Sequence, residues 1–313
     1  MDKRPENLIV VLGPTATGKT RFAALLAHLL QGEIISADSR QVYRQMDLGT
    51  GKDYDDYQVA DTTVPAHLMD ICAPGEKYNV YQYQEDFNRV FAEIQQRDHI
   101  PILCGGTGMY IDAVTRAYHL PKVERNEALR AQLEDKTLAQ LQEILSGYKP
   151  LHNRSDTDTR QRALRAIEIQ EYCRLQPLDT PIGPALRPCF LGMHIDPERC
   201  RVRIAKRLDQ RFQAGLVAEV QGLLTQGLTP EDLIYYGLEY KLVTRYITNE
   251  ISYDNMVREL YTAICQFAKR QRTWFRKMER NGTKIHWIDA MLDDTAKVKQ
   301  AMKILRESDS NTA

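Results

Sequence analysis

Gly13-Pro14-Thr15-Ala16-Thr17-Gly18-Lys19-Thr20 matches GxxxxGK[ST], a pattern whose chemistry is phosphate binding. Its glycines let the backbone curl until successive N–H groups point at phosphate oxygens, and a following helix adds positive potential at its N-terminus. Lys19 is placed to neutralise phosphate charge, and the Thr20 hydroxyl to ligate Mg²⁺. Asp38 closes the run Ile34-Ile35-Ser36-Ala37, beyond the carboxyl end of a strand, where ligands of open parallel sheets bind. It is a candidate general base, a metal ligand through water, or simply the N-cap of the next segment. Gly105-Gly106-Thr107-Gly108 follows a further apolar run and reaches the same rim. Its glycines permit close approach of another molecule and Thr107 offers a small donor and acceptor, although a tight strand–helix turn explains the same residues. A motor or switch NTPase would add an apolar strand ending in a metal-binding Asp. Here the third apolar strand ends in Gly105-Gly106, and Met193-His194-Ile195-Asp196 comes late in the chain.

Three basic groups could meet an anion. Arg199, Arg203, Arg207 and Arg211 recur every four residues, which aligns four guanidiniums on one helix face beside Ile204, Leu208 and Phe212. Pyrophosphate or an RNA backbone suits such a face, because Arg chelates phosphate with paired donors; a solvated face is the plain alternative. Between Ser252 and Arg280, Leu260, Ile264, Phe267, Trp274 and Met278 outline a core face, with Lys269, Arg272, Arg276 and Arg280 on another. That is either an electrostatic footprint for nucleic acid or an ordinary amphipathic helix. Arg160-Gln161-Arg162 and Arg165 open a third helix, whose apolar side is Ala163, Ile167 and Ile169.

The elements that must position these residues alternate strand and helix. Leu8–Leu12 is a short, wholly apolar run leading into the glycine loop, as expected of a buried parallel strand. Phe22, Leu25, Leu26 and Leu29 mark the core side of the next helix, which Gly32 ends before a second strand. Ile100–Cys104 and Cys189–Ile195 supply further strands, and from Pro197 to about Ile285 the pattern is helical. The expected fold is α/β, a P-loop NTPase-like parallel sheet covered by helices, with a helical C-terminal part. Residues 1–117 begin the core and 118–155, bounded by Pro121 and Pro150, read as a small inserted helical subdomain. Residues 156–290 continue the core, and 291–313 hold a last helix and a flexible tail from Ser308.

At 313 residues, 43% apolar and 27% charged, the chain has material for a sizeable core, and a formal net charge of +0 leaves any nucleic-acid claim to local patches. No apolar stretch reaches the ~18–20 residues a membrane helix needs. Six scattered cysteines without a CxxC pair read as reduced, so a cytoplasmic protein without disulfides or zinc is expected.

Taken together, these residues resemble the tRNA dimethylallyltransferase (tRNA isopentenyltransferase) family. The resemblance rests on GPTATGKT at 13–20, ISADSRQVYRQMDLGTGK at 35–52, HLMDI at 67–71, GGTGMY at 105–110, RQRALRAIEI at 160–169 and AKRQRTWFRK at 268–277, and spans nearly the whole chain. It implies that the loop Gly13–Thr20 holds the pyrophosphate of dimethylallyl diphosphate, with Mg²⁺ on Thr20. The five-carbon group then passes to N6 of the adenine 3′ of the anticodon. By the same resemblance Asp38 orients or deprotonates the amine and Thr107 lies near the reacting carbon. Lys19 and Arg211 take up leaving-group charge. tRNA contacts map to Asp38, Ser39, Arg40 and Gln41 and to Gln161, Arg162, Ala163, Leu164 and Arg165. Lys269, Arg272 and Arg276 join them through the basic stripe. A monomer of bacterial type, without the zinc finger of eukaryotic relatives, is implied. The chain departs from the family at Gly237-Leu238-Glu239, where Gly-Tyr-Arg/Lys is usual, with Lys241 nearby as a compensating cation. It departs again at Gly49-Thr50-Gly51-Lys52-Asp53, where GTAKP is usual. Competing readings are a small-molecule P-loop kinase using ATP, a prenyltransferase acting on free AMP or ADP, and a non-catalytic RNA-binding protein.

Overall fold

A computed structural model of the chain describes residues 6–148, 158–175 and 183–310. It divides into two compact units, one formed by residues 1–117 with 183–313 and the other by residues 118–182. In the first unit, strand β1 (Leu8–Leu12) leads to helix α1 (Lys19–Leu30) and β2 (Gly32–Ser36). A small hairpin, β3 (Gln58–Val59) with β4 (Thr62–Thr63), precedes β5 (Ala66–His67), α2 (Val80–Gln96), β6 (Ile100–Gly105) and α3 (Gly108–Thr115). The second unit holds α4 (Glu127–Gln132), α5 (Leu138–Tyr148) and α6 (Arg160–Leu175). The first unit then resumes with β7 (Pro188–His194), α7 (Pro197–Gln213), α8 (Leu216–Thr225), α9 (Pro230–Tyr235) and α10 (Leu238–Ile247). The 28-residue α11 (Tyr253–Arg280), β8 (Ile285–Asp289) and α12 (Asp294–Ser310) complete it.

The main sheet runs β5-β2-β6-β1-β7-β8, every neighbouring pair parallel. β1 is buried at all five positions, which is why it carries no polar residue: both faces of a parallel sheet are covered by helices. In strand order the chain moves from β1 to β2, returns to fill the gap with β6, and crosses to β7 on the other side. The reversal falls at β1, so the crevice beyond its carboxyl end is the topological switch point. The glycine loop Gly13–Gly18, the residues after β2 and the residues after β6 all open onto it.

Two details differ from the pattern read in the sequence. α1 buries Phe22, Ala23, Leu26, Ala27 and Leu30 while Leu29 is 57% exposed. The alanines let the helix lie close on β2 and β6, and this turns the stripe away from Leu29. Gly32 does not stop the helix: Gln31 caps it in the left-handed region at φ 52°, and Gly32 starts β2 where a Cβ would lie 2.6 Å from the Ile100 carbonyl oxygen. The short run at Ile285, flanked by helices and unassigned from sequence, is the edge strand beside β7. α12 continues through Ser310, so only 311–313 of the expected tail fall outside the described residues.

The second unit extends past residue 155 and includes α6, which the sequence pattern placed with the core. Its apolar centre is Leu133, Leu141, Leu145, Ala163, Leu164 and Ile167. Glu168 is buried with it, accepting from the Arg130 Nε at 2.6 Å, from Arg165 at 3.1 Å and from the Asn126 backbone N–H at 3.1 Å. Burial pushes that carboxyl up, but the two guanidiniums and the backbone donor outweigh it, leaving its pKa below the usual range.

β2 is anchored by charge as well as by its ladder. Glu33, 3% exposed, accepts two hydrogen bonds from Arg97 at 2.8 Å and lies 2.6 Å from His67 Nε2 and 2.7 Å from His99 Nδ1. The Arg97 bonds, opposed by burial and helped by the two imidazoles, depress its pKa to about 2. A carboxylate whose folded pKa lies below its unfolded value contributes stability above the unfolded pKa, and the contribution is lost as pH falls toward the folded one. Stability is therefore expected to fall between about pH 5 and pH 2. Glu33→Gln should flatten that segment of an acid-unfolding profile followed by circular dichroism, and lower stability at pH 7 by roughly 2–4 kcal/mol. An unchanged acid limb in the variant would remove Glu33 from the account.

Candidate active site

The loop Gly13–Thr20 curls through two left-handed residues, Ala16 at φ 64° and Gly18 at φ 75°. Thr17 is buried, its hydroxyl donating to the Pro14 carbonyl at 2.8 Å. α1 opens without a side-chain cap, so its first N–H groups are left for a ligand. Thr15, Ala16, Gly18, Lys19 and Thr20 line a cavity of about 480 Å³, within the ~300–1,000 Å³ range of small-molecule sites. Gly13, Pro14 and Thr17 shape the loop from behind instead; a Cβ on Gly13 would meet Met193 at 3.0 Å. Burial lowers the pKa of Lys19, countered by Cys104, Asp38 and Asp53 and reinforced by Arg207.

The loop is fixed from elements far away in sequence. Gln271 of α11 is buried; its Oε1 accepts from the Thr15 N–H at 2.8 Å and its Nε2 donates to the Gly106 carbonyl at 2.9 Å. Two thiols lie beneath: Cys104 Sγ is 3.7 Å from the Lys19 carbonyl oxygen and Cys200 Sγ 3.7 Å from that of Thr15. Burial pushes the Cys104 thiol up to about 12, so it stays a neutral donor.

α7 resolves the arginine stripe into four different situations. Arg203 reaches the Ala16 carbonyl at 3.5 Å and that of Ala290 at 3.4 Å, and Arg207 donates to Thr15 Oγ1. Arg211 is buried against Gly51, and Arg199 is exposed. Burial first, then the neighbouring Arg211, pushes Arg207 down to about 10. An incoming anion would offset both by Coulomb attraction. Asp196, the residue too late in the chain to hold a P-loop metal, caps α7 through the N–H groups of Glu198 and Arg199.

Asp38 enters the cavity beyond β2, its Oδ1 accepting from the Arg40 N–H at 3.0 Å. Thr107 holds that turn: its Oγ1 accepts from the Ser39 N–H at 3.1 Å. Gln41 donates to the Gly51 carbonyl at 3.0 Å, and Arg40 lies 5.4 Å above the ring of the exposed Tyr235. The glycines at 105–108 permit close approach, but of this chain's own groups. A Cβ would lie 2.2 Å from the Ala37 carbonyl oxygen at Gly105, 2.3 Å from Gln271 Nε2 at Gly106 and 2.2 Å from the Trp274 ring at Gly108. The loop at 47–53 is held by Glu219, which accepts from the N–H groups of Asp47, Leu48 and Gly49 and from the Tyr240 hydroxyl. Lys52 is buried there between Asp47 and Asp70.

Asp53 and Asp56 complete the acidic side of the cavity; burial, with Asp53 beside it, raises Asp56 to about 6. Met109, Leu238, Ile264, Phe267 and Trp274 give it an apolar wall. Phe267, read from sequence as core, is 38% exposed; the core face of α11 runs through Leu260, Ile264, Ala268, Phe275 and Met278. Lys269 and Arg276 are exposed, whereas Arg272 is half-buried, with an Nη1 that has no hydrogen-bond partner among the described residues. In the second unit Gln161 and Arg162 are exposed, but Ala163 and Leu164 are 0% and 5% exposed, so their side chains serve the packing of α6 and not an RNA surface. Arg160 donates to the Leu133 carbonyl at 3.1 Å and Arg165 to that of Val123 at 2.7 Å. Gln271, Glu219 and the Arg207 contact were not legible, because each has its partner more than 150 residues away.

A P-loop at the switch point of a parallel sheet, faced by a carboxylate, arginines and an apolar wall, defines an enzyme class acting on a phosphorylated small molecule with an apolar part. The family model for IPP transferase matches residues 41–278, and that for isopentenyl transferase matches residues 6–63. The chain is 55% identical to tRNA dimethylallyltransferase 1 of Parabacteroides distasonis, covering 96% of this chain and 97% of that protein. It is 54% identical to tRNA dimethylallyltransferase 2 of Porphyromonas gingivalis, covering 95% and 98%. The crystal structure of full-length tRNA isopentenylpyrophosphate transferase from Bacillus halodurans superposes with a TM-score of 0.71 at 29% identity, covering 98% of this chain and 99% of that one. The chain belongs to the IPP transferase family.

Because Gln271 satisfies two backbone groups at once, Gln271→Ala should cost about 1–3 kcal/mol, read as a lower urea midpoint with an unchanged slope. An unshifted midpoint would show that water replaces the amide at no cost.

Proposed function

We propose that this chain transfers the dimethylallyl group of dimethylallyl diphosphate to N6 of the adenine 3′-adjacent to the anticodon in tRNA, releasing pyrophosphate. The observation that carries the reading is one cavity in which the P-loop, Lys19, Arg207 and Arg211 meet Asp38 and an apolar wall. The diphosphate lies on the loop amides and cations, and the five-carbon chain on Met109, Phe267 and Trp274. An allylic carbon separates readily as a delocalised cation, so the work is to stabilise the departing pyrophosphate and to position the amine. As the C1–O bond breaks, N6 bonds to C1 and its proton passes to the Asp38 carboxylate. Thr107 keeps Asp38 in place through Ser39. Among the described residues no group of three or more His, Cys, Asp or Glu could hold a resident metal, yet Thr20 fits a Mg²⁺ that arrives with the diphosphate. Bound there, Mg²⁺ would neutralise phosphate charge.

Asp38, Ser39, Arg40 and Gln41 meet the flipped adenine and its neighbours, since a base must leave its stack to be modified. Lys269 and Arg276, both exposed, meet phosphates. Gln161, Arg162 and Arg165 contribute from the second unit. No helix among the described residues is long and apolar enough to cross a membrane. The protein works as a monomer in the cytoplasm, where its substrate is.

Labelled dimethylallyl diphosphate incubated with unmodified tRNA, AMP or ATP tests the reading. Label should enter tRNA; label in AMP alone, or phosphate release from ATP without prenylation, would overturn it. Asp38→Ala should lower transfer by roughly 10²–10⁴-fold while leaving pyrophosphate affinity nearly unchanged. Near-normal turnover would take Asp38 out of the mechanism. Arg276→Ala should reduce the salt dependence of tRNA binding by about one unit of slope; an unchanged slope makes that face of α11 scaffold.

A further inference from the structure

Glu239 brings a carboxylate into the wall of the cavity, where an anionic ligand would repel it. Its surroundings give it a use. Arg211 is 9% exposed at its side chain and Glu239 17%, and Arg211 Nη1 lies 3.9 Å from Glu239 Oε1. The Arg211 Nε is buried with no hydrogen-bond partner among the described residues. A guanidinium has five donors and does not deprotonate, so this cation is buried with its hydrogen bonding unfinished. Its position depends on Gly51, which sits at φ +72° and whose Cβ, were there one, would lie 2.0 Å from Arg211 Nη2. One helical turn away Arg207 repels it, and Asp38 is the other carboxylate facing Glu239. Burial raises the pKa of Glu239, opposed first by Arg211 and then by its own backbone N–H and Arg207.

We propose that Glu239 is a positioning residue, holding the Arg211 guanidinium over Gly51 so that a cation with open donors faces the diphosphate before it binds. A separation of 3.9 Å is too long for a hydrogen bond but close enough for Coulomb attraction, so Glu239 fixes Arg211 without using up its donors. The incoming anion completes them. This rests on the reading that the cavity takes a diphosphate.

The test is calorimetric titration with inorganic pyrophosphate and Mg²⁺ of the wild type, Glu239→Gln, Glu239→Asp, Arg211→Leu and the two double variants, with melting curves alongside. Glu239→Gln should weaken pyrophosphate about 10-fold, and Glu239→Asp, which keeps a shorter carboxylate, about 3-fold; in the Arg211→Leu background neither should add a further loss. Should the glutamine variant not fold, the aspartate pair carries the comparison. Tighter or unchanged binding in Glu239→Gln, or equal losses in both backgrounds, would overturn the role of Glu239 while leaving the diphosphate reading intact. A folded wild type that does not bind pyrophosphate overturns that reading, and this inference with it.

Discussion

The two hydrogen bonds of Gln271 join the phosphate loop to the rim beyond β6, and most of the site depends on that join. The loop follows β1 and the rim follows β6, and the ladder that pairs these strands ends at Leu12 and Gly105. A single amide from α11 accepts from one and donates to the other, so the gap between them is set by the length of one side chain. Gly106 must then be glycine, since a Cβ would displace the amide nitrogen. Gly108 must be glycine for a related reason, because Trp274, three residues along the same helix, lies against it and hydrogen-bonds Asp112 of α3 at 2.8 Å. The helix that closes the cavity thereby also supplies its apolar wall.

Around this frame the charges are arranged in advance of any ligand. Lys19 and Arg207 both sit where burial disfavours their charged forms, and two arginines of one helix lie a turn apart at the same cavity. In a chain of zero net charge, the cavity sets Lys19, Arg40, Arg207, Arg211 and Arg270 against the carboxylates at 38, 53, 56 and 239, so cations exceed carboxylates by one. An anion in such a site would offset the buried charge of Lys19 and Arg207, and a group that accumulates charge as it leaves gains more from it than one that does not. Preorganisation of this kind needs stiff loops. Glu219 provides one by collecting three successive amides and a tyrosine hydroxyl, and buried Lys52 provides another by tying Asp47 to Asp70.

What the sequence made legible was local. β1, the glycine loop, α1 and the carboxylate after β2 each lie within a dozen residues of the pattern that identifies them. Periodicity placed four arginines on one face of α7 but could not tell which would turn inward. That depends on the P-loop carbonyls and Gly51, some 160–190 residues away in the chain. The same limit applies to Ala163 and Leu164. They sit in a motif beside arginines, and only the packing of α5 on α6 shows them to be core. Phe267 and Leu29 follow helical spacing yet stay out of the core, Phe267 at the cavity wall and Leu29 exposed, while Ala268 and Ala27 are buried. The glycines at 105–108 invited a ligand in the sequence; in the fold they line the cavity and also meet the protein's own groups, the Ala37 backbone and the Gln271 and Trp274 side chains.

That last exchange sharpens how the cavity works. Glycines that admitted substrate would leave space when the site is empty; here the space is filled by Gln271 and Trp274, so the cavity wall is built and not vacant. Gly51 belongs to the same category, admitting the Arg211 guanidinium where any Cβ would collide. Each of these positions exchanges a side chain on one element for the close approach of a functional or bridging side chain from another. The motifs of this chain are thus as much about inter-element contact as about the cavity. A substitution at Gly51, Gly106 or Gly108 would act on the cavity they line by displacing Arg211, Gln271 or Trp274.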